Sequence, residues 1–550
     1  MSTEDSKRKS VVSRRGFLQG TLATGLVGAA AASGVAQKAP VASDRKNWEV
    51  SPEPIPDGAI KETIERDIVA IGAGISGLAI AHAAAEGGAT VAVVEKGKTL
   101  SARGWDNGAI GTKVQKRHGI KIDRVEVANL LMQTYGYKAH HQLVKLWCDR
   151  SGEVFDYYID MAEAEGMTVD LNSDVPKSTR PGPYYAMYRT SHNFGMQNGF
   201  YIVDKNGEFF EAQLLKMIER KAKEHGANFY YKNQVEQLIR DSATGRVTGV
   251  IAKRQDHSYV KYVAKKAVVL CTGDYGGNKD MVNAWCSFAS YTDGCMYTPM
   301  GQNTGDGHKM GLWVGASLQK APHCAVMHPV TGGPLSFLPF LYVNKRGERY
   351  ANEDMTFPAL CNARILQPGN IAWSIYDADY REYAEKMPNN GGIATPLLYP
   401  GLEDDIAKAI SSKMGHTANT IEELALALNI PVKKFSATVK RYNDLVAKGA
   451  DEDFGKRVAN LTPIAKAPFY AMKCSAPLVV TVGGLNVSPQ MEVLDGKDEP
   501  IPGLYAIGNV AGNFFGNDYT SICLGISHGR CLTFGRLLGQ AIAKGQLIEM

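Results

Sequence analysis

Ile68-Val-Ala-Ile-Gly72-Ala-Gly74-Ile75-Ser76-Gly77-Leu-Ala-Ile-Ala-His82, closed by Val91-Ala-Val-Val-Glu95-Lys96, decides how this 550-residue chain is read. Four apolar residues predict a buried strand running straight into Gly-x-Gly-x-x-Gly. An alanine-rich helix follows, then a second apolar strand that ends in an acid. Gly72 permits the tight strand-to-helix turn, Gly74 lets the backbone approach a pyrophosphate, and Gly77 lets helix and strand pack closely. The helix start offers unpaired N–H groups to phosphate. Glu95 stands where a carboxylate accepts from a ribose hydroxyl. A Rossmann-type dinucleotide site in an α/β domain is expected.

The length exceeds one average domain, and 44% hydrophobic with 21% charged residues describes a globular chain with a large core. Net charge is +5, with no basic block that would suggest nucleic acid. Lys7-Arg8-Lys9, Ser13-Arg14-Arg15-Gly-Phe-Leu18 and a weakly apolar Ala/Gly run to Ala36 predict a cleaved twin-arginine signal peptide over 1–36. The run is too poor in Leu and Ile for a strong membrane anchor. Export through the twin-arginine translocase is expected, to the periplasm or the outer face of the cytoplasmic membrane. Nine scattered cysteines include no C-x-x-C pair, so no zinc, redox or haem-attachment motif is read and no metal ligand is assigned. An iron–sulfur cluster drawn from distant cysteines stays open.

Residues 37–60 read as a Pro-rich linker, and 61–320 as the first part of the cofactor domain. Residues 321–460 change in texture and read as an inserted module, with the cofactor domain resuming over 461–550. Within the module, Thr420-Ile-Glu-Glu423 is a capping box, and a helix from Lys433 to Lys448 stops at Gly449. The chain closes on an amphipathic helix from Ser527 to Lys544.

Further motifs are Thr272-Gly273-Asp-Tyr-Gly-Gly-Asn278, Thr304-Gly-Asp306-Gly307, Gly347-Glu-Arg349-Tyr350-Ala-Asn-Glu353, Arg441-Tyr-Asn443, Ile501-Pro-Gly-Leu-Tyr-Ala-Ile-Gly508-Asn509 and Thr533-Phe-Gly-Arg536. With them the chain resembles, from residue 60 to the end, the flavoprotein subunits of fumarate reductase and succinate dehydrogenase and the ketosteroid dehydrogenases. The resemblance implies FAD, an inserted α+β capping domain, and hydride transfer between flavin N5 and a substrate carbon. FAD would rest on Gly72, Gly74, Ile75, Ser76, Gly77, Glu95, Lys96, Ser101, Gly108, Ala109, Val235, Thr272, Gly273, Asp306, Gly508, Asn509, Ser521 and Ile522. Electrons would come from a membrane-associated donor such as a quinol-linked cytochrome. Arg349 and Glu353 are expected to fix the cap rather than touch substrate.

Soluble fumarate reductases of that family clamp a dicarboxylate with two histidines and an arginine, and protonate it with another arginine. Here His328 keeps one histidine; the other positions fall at Val480, Tyr519 and Phe357, and the proton-relay acid near Gly333. A desolvated carboxylate without a cation would be penalised by several kcal/mol. The expected substrate is therefore a small neutral or bulky organic molecule with an activated C=C, such as an enone. Phe357 and Val480 would line its pocket. Tyr519-Thr-Ser521 resembles the Tyr-x-Ser of one ketosteroid dehydrogenase branch, so the proton-handling candidates are Tyr519, Ser521, Tyr350 and His328. The alternatives are a ketosteroid-type dehydrogenase running the other way, or a non-catalytic flavin electron-transfer protein.

Overall fold

The computed structural model describes residues 47–104, 106–171, 188–195, 211–296, 301–387 and 401–550. The expected signal peptide lies outside the described residues. Up to Val50 only a short turn at Asn47–Glu49 is described, and the architecture below belongs to Ser51–Met550.

The chain enters on β1 (Ile60–Ile71), α1 (Ile75–Glu86) and β2 (Val91–Glu95). Next come β3 (Asn107–Gly108), α2 (Lys113–Arg117), α3 (Arg124–Thr134), α4 (His141–Ala164), β4 (Val169–Leu171) and β5 (Ser191–Phe194). Then α5 (Glu211–Glu224) leads to β6 (Asn228–Tyr231), β7 (Asn233–Arg240), β8 (Val247–Arg254), β9 (Tyr259–Leu270), α6 (Lys279–Trp285) and α7 (Asp306–Trp313).

The main sheet has the order β16-β17-β9-β1-β2-β6, where β16 is Glu492–Leu494 and β17 is Pro500–Ala506. β1 pairs in parallel with β2 and β9, β17 joins β9 in parallel, and β7–β8 is an antiparallel hairpin on β9. Ile68–Ile71 are buried between β2 and β9, while the polar half of β1 runs on beside Tyr259–Ala264. That explains the continuous apolar run: a strand covered on both faces has no polar side to show. The last helix, α13, spans Ile526–Lys544, with most of its residues buried.

A second sheet takes β11 (Leu341–Asn344), β12 (Ala372–Tyr376), β13 (Gly415–Ala418) and β14 (Phe469–Lys473) in the antiparallel order β11-β12-β14-β13. Leu341, Val343, Ile375 and Ala471 face a core with α11 (Ile421–Ala427) and α12 (Val432–Lys448). Tyr376 and Met472, at the alternate positions, face α9 (Tyr380–Lys386) and α10 (Leu402–Ser411). β14 lies past residue 460 in the chain yet sits inside this sheet. The two crossings into and out of the module, β10 (Cys324–Met327) and β15 (Leu478–Val482), pair antiparallel as a ribbon. Thr420 and Glu423 form the expected capping box, and Gly449, at φ +70°, ends α12.

Candidate functional site

The glycine turn lies at the carboxyl end of β1, where open parallel sheets bind ligands. Gly72 has φ +105°, and a Cβ there would stand 2.5 Å from the Cys271 carbonyl oxygen. A Cβ on Gly77 would come within 1.8 Å of the Gly72 oxygen, so α1 can only pack this closely on glycine. Gly74 differs: a Cβ would meet nothing nearer than the Ser101 oxygen at 3.9 Å. The protein itself does not require glycine there, and the open space suits a ligand's pyrophosphate. No side chain caps the start of α1, so its first amides are available to phosphate.

Glu95 ends β2 beside the glycine turn. Its carboxylate accepts from Ala73 N at 2.8 Å and Gly97 N at 2.5 Å, bracing the turn and leaving lone pairs for a hydroxyl. Lys96 donates to Asp306 at 2.8 Å and to the Gln302 carbonyl at 2.5 Å, tying β2 to the start of α7. Burial works to raise the Asp306 pKa, but Lys96 and Lys309 hold it at about 2, so the carboxylate is charged. Val235 and Asp306 line one cleft with Pro52, Gln234, Met310 and Trp313.

Thr272 Oγ1 is buried without a hydrogen-bond partner among the described residues, and Gly273, at φ +75°, opens onto free space. Gly508, at φ +82°, abuts Ser76, where a Cβ would stand 2.6 Å from its Oγ. Ser101 N donates to the Ala73 carbonyl at 3.1 Å. Gly74, an orphaned Thr272 hydroxyl, the bare Gly273 and the uncapped helix therefore converge on one groove that fits FAD.

At the other end, Gly108 N donates to the Gly525 carbonyl at 2.8 Å, and a Cβ on Gly529 would lie 1.8 Å from Gly108 O. Ala109 is buried alongside. α13 starts at Ile526, so Gly525 and Ile526, not Ser521 and Ile522, supply the backbone against Gly108. Ser521 and Ile522 are buried four residues earlier, where the Ile522 carbonyl accepts from Tyr188 N at 2.8 Å.

The pocket candidates gather around α8 (Phe357–Ile365), which follows Thr356 and packs on β10. Phe357 is buried at its first turn, with its ring 6.2 Å from His328 and 5.4 Å from Phe337. Val480, on β15, is opposite Val326, two residues before His328. Asn362 of α8 donates to Asp518 at 3.3 Å, bringing the Tyr519 loop to the same helix. Burial lowers the His328 pKa to about 4, so the ring is neutral near pH 7. Burial raises the Tyr519 phenol, against the Ser527 amide and the Arg530 guanidinium, which favour its anion.

Tyr350 lies in the Phe357 cluster, but its hydroxyl is buried without a partner among the described residues. Arg349 binds Glu353 and Asp451, each at 2.7 Å, inside the cap.

Sequence reasoning missed Arg530. It is 1% exposed and its guanidinium lies 4.8 Å from the Phe515 ring centre, while the Tyr519 ring lies 5.4 Å from the same ring. Arg530 donates to Asn509 at 2.9 Å, which turns it toward the expected cofactor side. Its signal was a cation one turn after Ile526 on the inward stripe of the last helix.

Residues 67–520 match the family model described as FAD binding domain. The chain is 26% identical over 510 residues to a vinyl phenol reductase of Lactiplantibacillus plantarum, covering 87% of this chain and 96% of that protein. It is 26% identical over 511 residues to a urocanate reductase of Eggerthella lenta, covering 90% and 77%. Its fold is like that of a 3-ketosteroid Δ4-(5α)-dehydrogenase from Rhodococcus jostii, with TM-score 0.69 and 23% identity over 89% of this chain and 99% of that one. With the dinucleotide groove in place, the conclusion is that the chain belongs to the FAD binding domain family and is an FAD-dependent oxidoreductase acting on CH–CH groups.

Proposed function

We propose that this enzyme reduces an activated C=C in a neutral, bulky organic substrate, with Tyr519 as proton donor. The carrying observation is the lining of the pocket: Phe357 and Val480 are buried and apolar, and the nearby Arg530 is turned to Asn509. The relative named for vinyl phenols, spanning nearly the whole chain, supports a neutral substrate.

FAD held in the groove, once reduced, would be the source of the hydride for one alkene carbon. The Tyr519 hydroxyl gives its proton to the neighbouring carbon, so the C=C is saturated and a phenolate remains. Burial opposes that phenolate, and the Ser527 amide and Arg530 offset part of this cost, while Phe357 and Val480 exclude water. His328, neutral and edge-on to Phe357, orients the substrate rather than titrating. Export by the twin-arginine route and a quinol-linked cytochrome donor complete the reading; the basic, Ala/Gly-rich start of the chain supports export. The Tyr519-Thr-Ser521 pattern favours a second reading, a ketosteroid-type dehydrogenase.

Anaerobic flavin absorbance separates the two. Vinyl phenols, enones, cinnamates, urocanate and steroids are offered to reduced enzyme, and saturated ketones to oxidised enzyme. Reoxidation by a neutral alkene supports the reductase; bleaching by a saturated ketone replaces it with the dehydrogenase.

A further inference from the structure

We infer that His82, Glu86 and His225 form a binding site for one divalent transition-metal ion of the zinc type, outside the flavin site. Their ligand atoms all lie within 4.8 Å of one another. His82 and Glu86 stand at i and i+4 on α1 and so share a face. His225 follows the end of α5, which packs on α1. The two imidazole ring centres are 5.8 Å apart.

His82 carries the argument. It is fully buried, and neither ring nitrogen has a hydrogen-bond partner among the described residues. Buried polar groups ordinarily find partners, so an imidazole with both nitrogens idle beside two other ligand groups calls for one.

Glu86 is held as an outer shell would hold a ligand. Tyr157 donates to one carboxylate oxygen at 2.5 Å and Arg536 to the other at 3.0 Å. Arg536 and Lys221 are cations near the site and act against binding. Two imidazoles and one carboxylate therefore select zinc, nickel or cobalt over magnesium or calcium. A bound ion would pin the far turn of α1, away from the glycine turn, to the end of α5.

The test is isothermal titration of tag-free, FAD-loaded protein with Zn²⁺ and, in parallel, Mg²⁺. One equivalent of Zn²⁺ and no Mg²⁺ is expected to bind. His225→Ala and Glu86→Gln, both at exposed positions, should each weaken Zn²⁺ by at least about tenfold with flavin content unchanged. Absence of Zn²⁺ binding by the wild type, or full affinity in His225→Ala, overturns the site.

Discussion

Tyr519 holds a proton in surroundings that resist giving up its charge-balanced form. Burial raises its phenol above the ordinary range, so the acid form persists through neutral pH. The pH profile of the single-turnover rate should be flat from about pH 6 to 9 and fall only as the phenol ionises at higher pH. His328, at about 4, adds no step near the usual histidine pKa. Tyr519→Phe should retain flavin and lose at least about a hundredfold in that rate; a near wild-type rate would remove Tyr519 from the chemistry. Gly74→Ala and Gly77→Ala should part ways. The first leaves the fold intact and weakens FAD by about tenfold or more, because its Cβ would occupy ligand space. The second should fail to fold, because its Cβ would strike the Gly72 carbonyl. Fluorescence of released flavin and circular dichroism distinguish them. The glycines were readable because each acts through its own missing Cβ. Arg530 was not, since its meaning depends on Phe515 and Asn509 meeting it in space.

At the scale of elements, the capping sheet is locked by charge as well as by its two apolar faces. Arg349 lies between Glu353 and Asp451, both fully buried. Arg349→Met should destabilise the protein by about 3–5 kcal/mol by leaving two buried carboxylates with only Lys456 as a cation partner, with little change in bound flavin. A denaturant midpoint equal to wild type would show that the network is dispensable. The capping box at Thr420 and the stop at Gly449 were legible because they are local in sequence. The placement of β14 was not: a five-residue strand joins β12 and β13 through non-local hydrogen bonds, which no local pattern encodes. The close approach of Gly108 to Gly525 and Ile526 at the start of α13 is non-local in the same way and was not read from the sequence.

Across the whole molecule, a parallel sheet presents its carboxyl ends to one groove, and an inserted sheet returns through the β10–β15 ribbon. Lys96 and Asp306 join two remote parts of that groove. Because Asp306 drops from 3.8 to about 2, it contributes about 2 kcal/mol of stability above pH 4, lost as pH falls from about 4 to 2. Asp306→Asn should flatten that part of the acid-unfolding curve. The overall plan was legible because the glycine motif and the later strand-to-glycine turns follow in order; the proposed pocket chemistry rests on Phe357, Val480 and Tyr519, held around α8. The most direct measurement is anaerobic reoxidation of the reduced flavin by 4-vinylphenol and by fumarate, compared side by side. Prompt stoichiometric reoxidation by the neutral alkene with none by fumarate is the expected result; reoxidation by fumarate at a comparable or faster rate contradicts the apolar pocket.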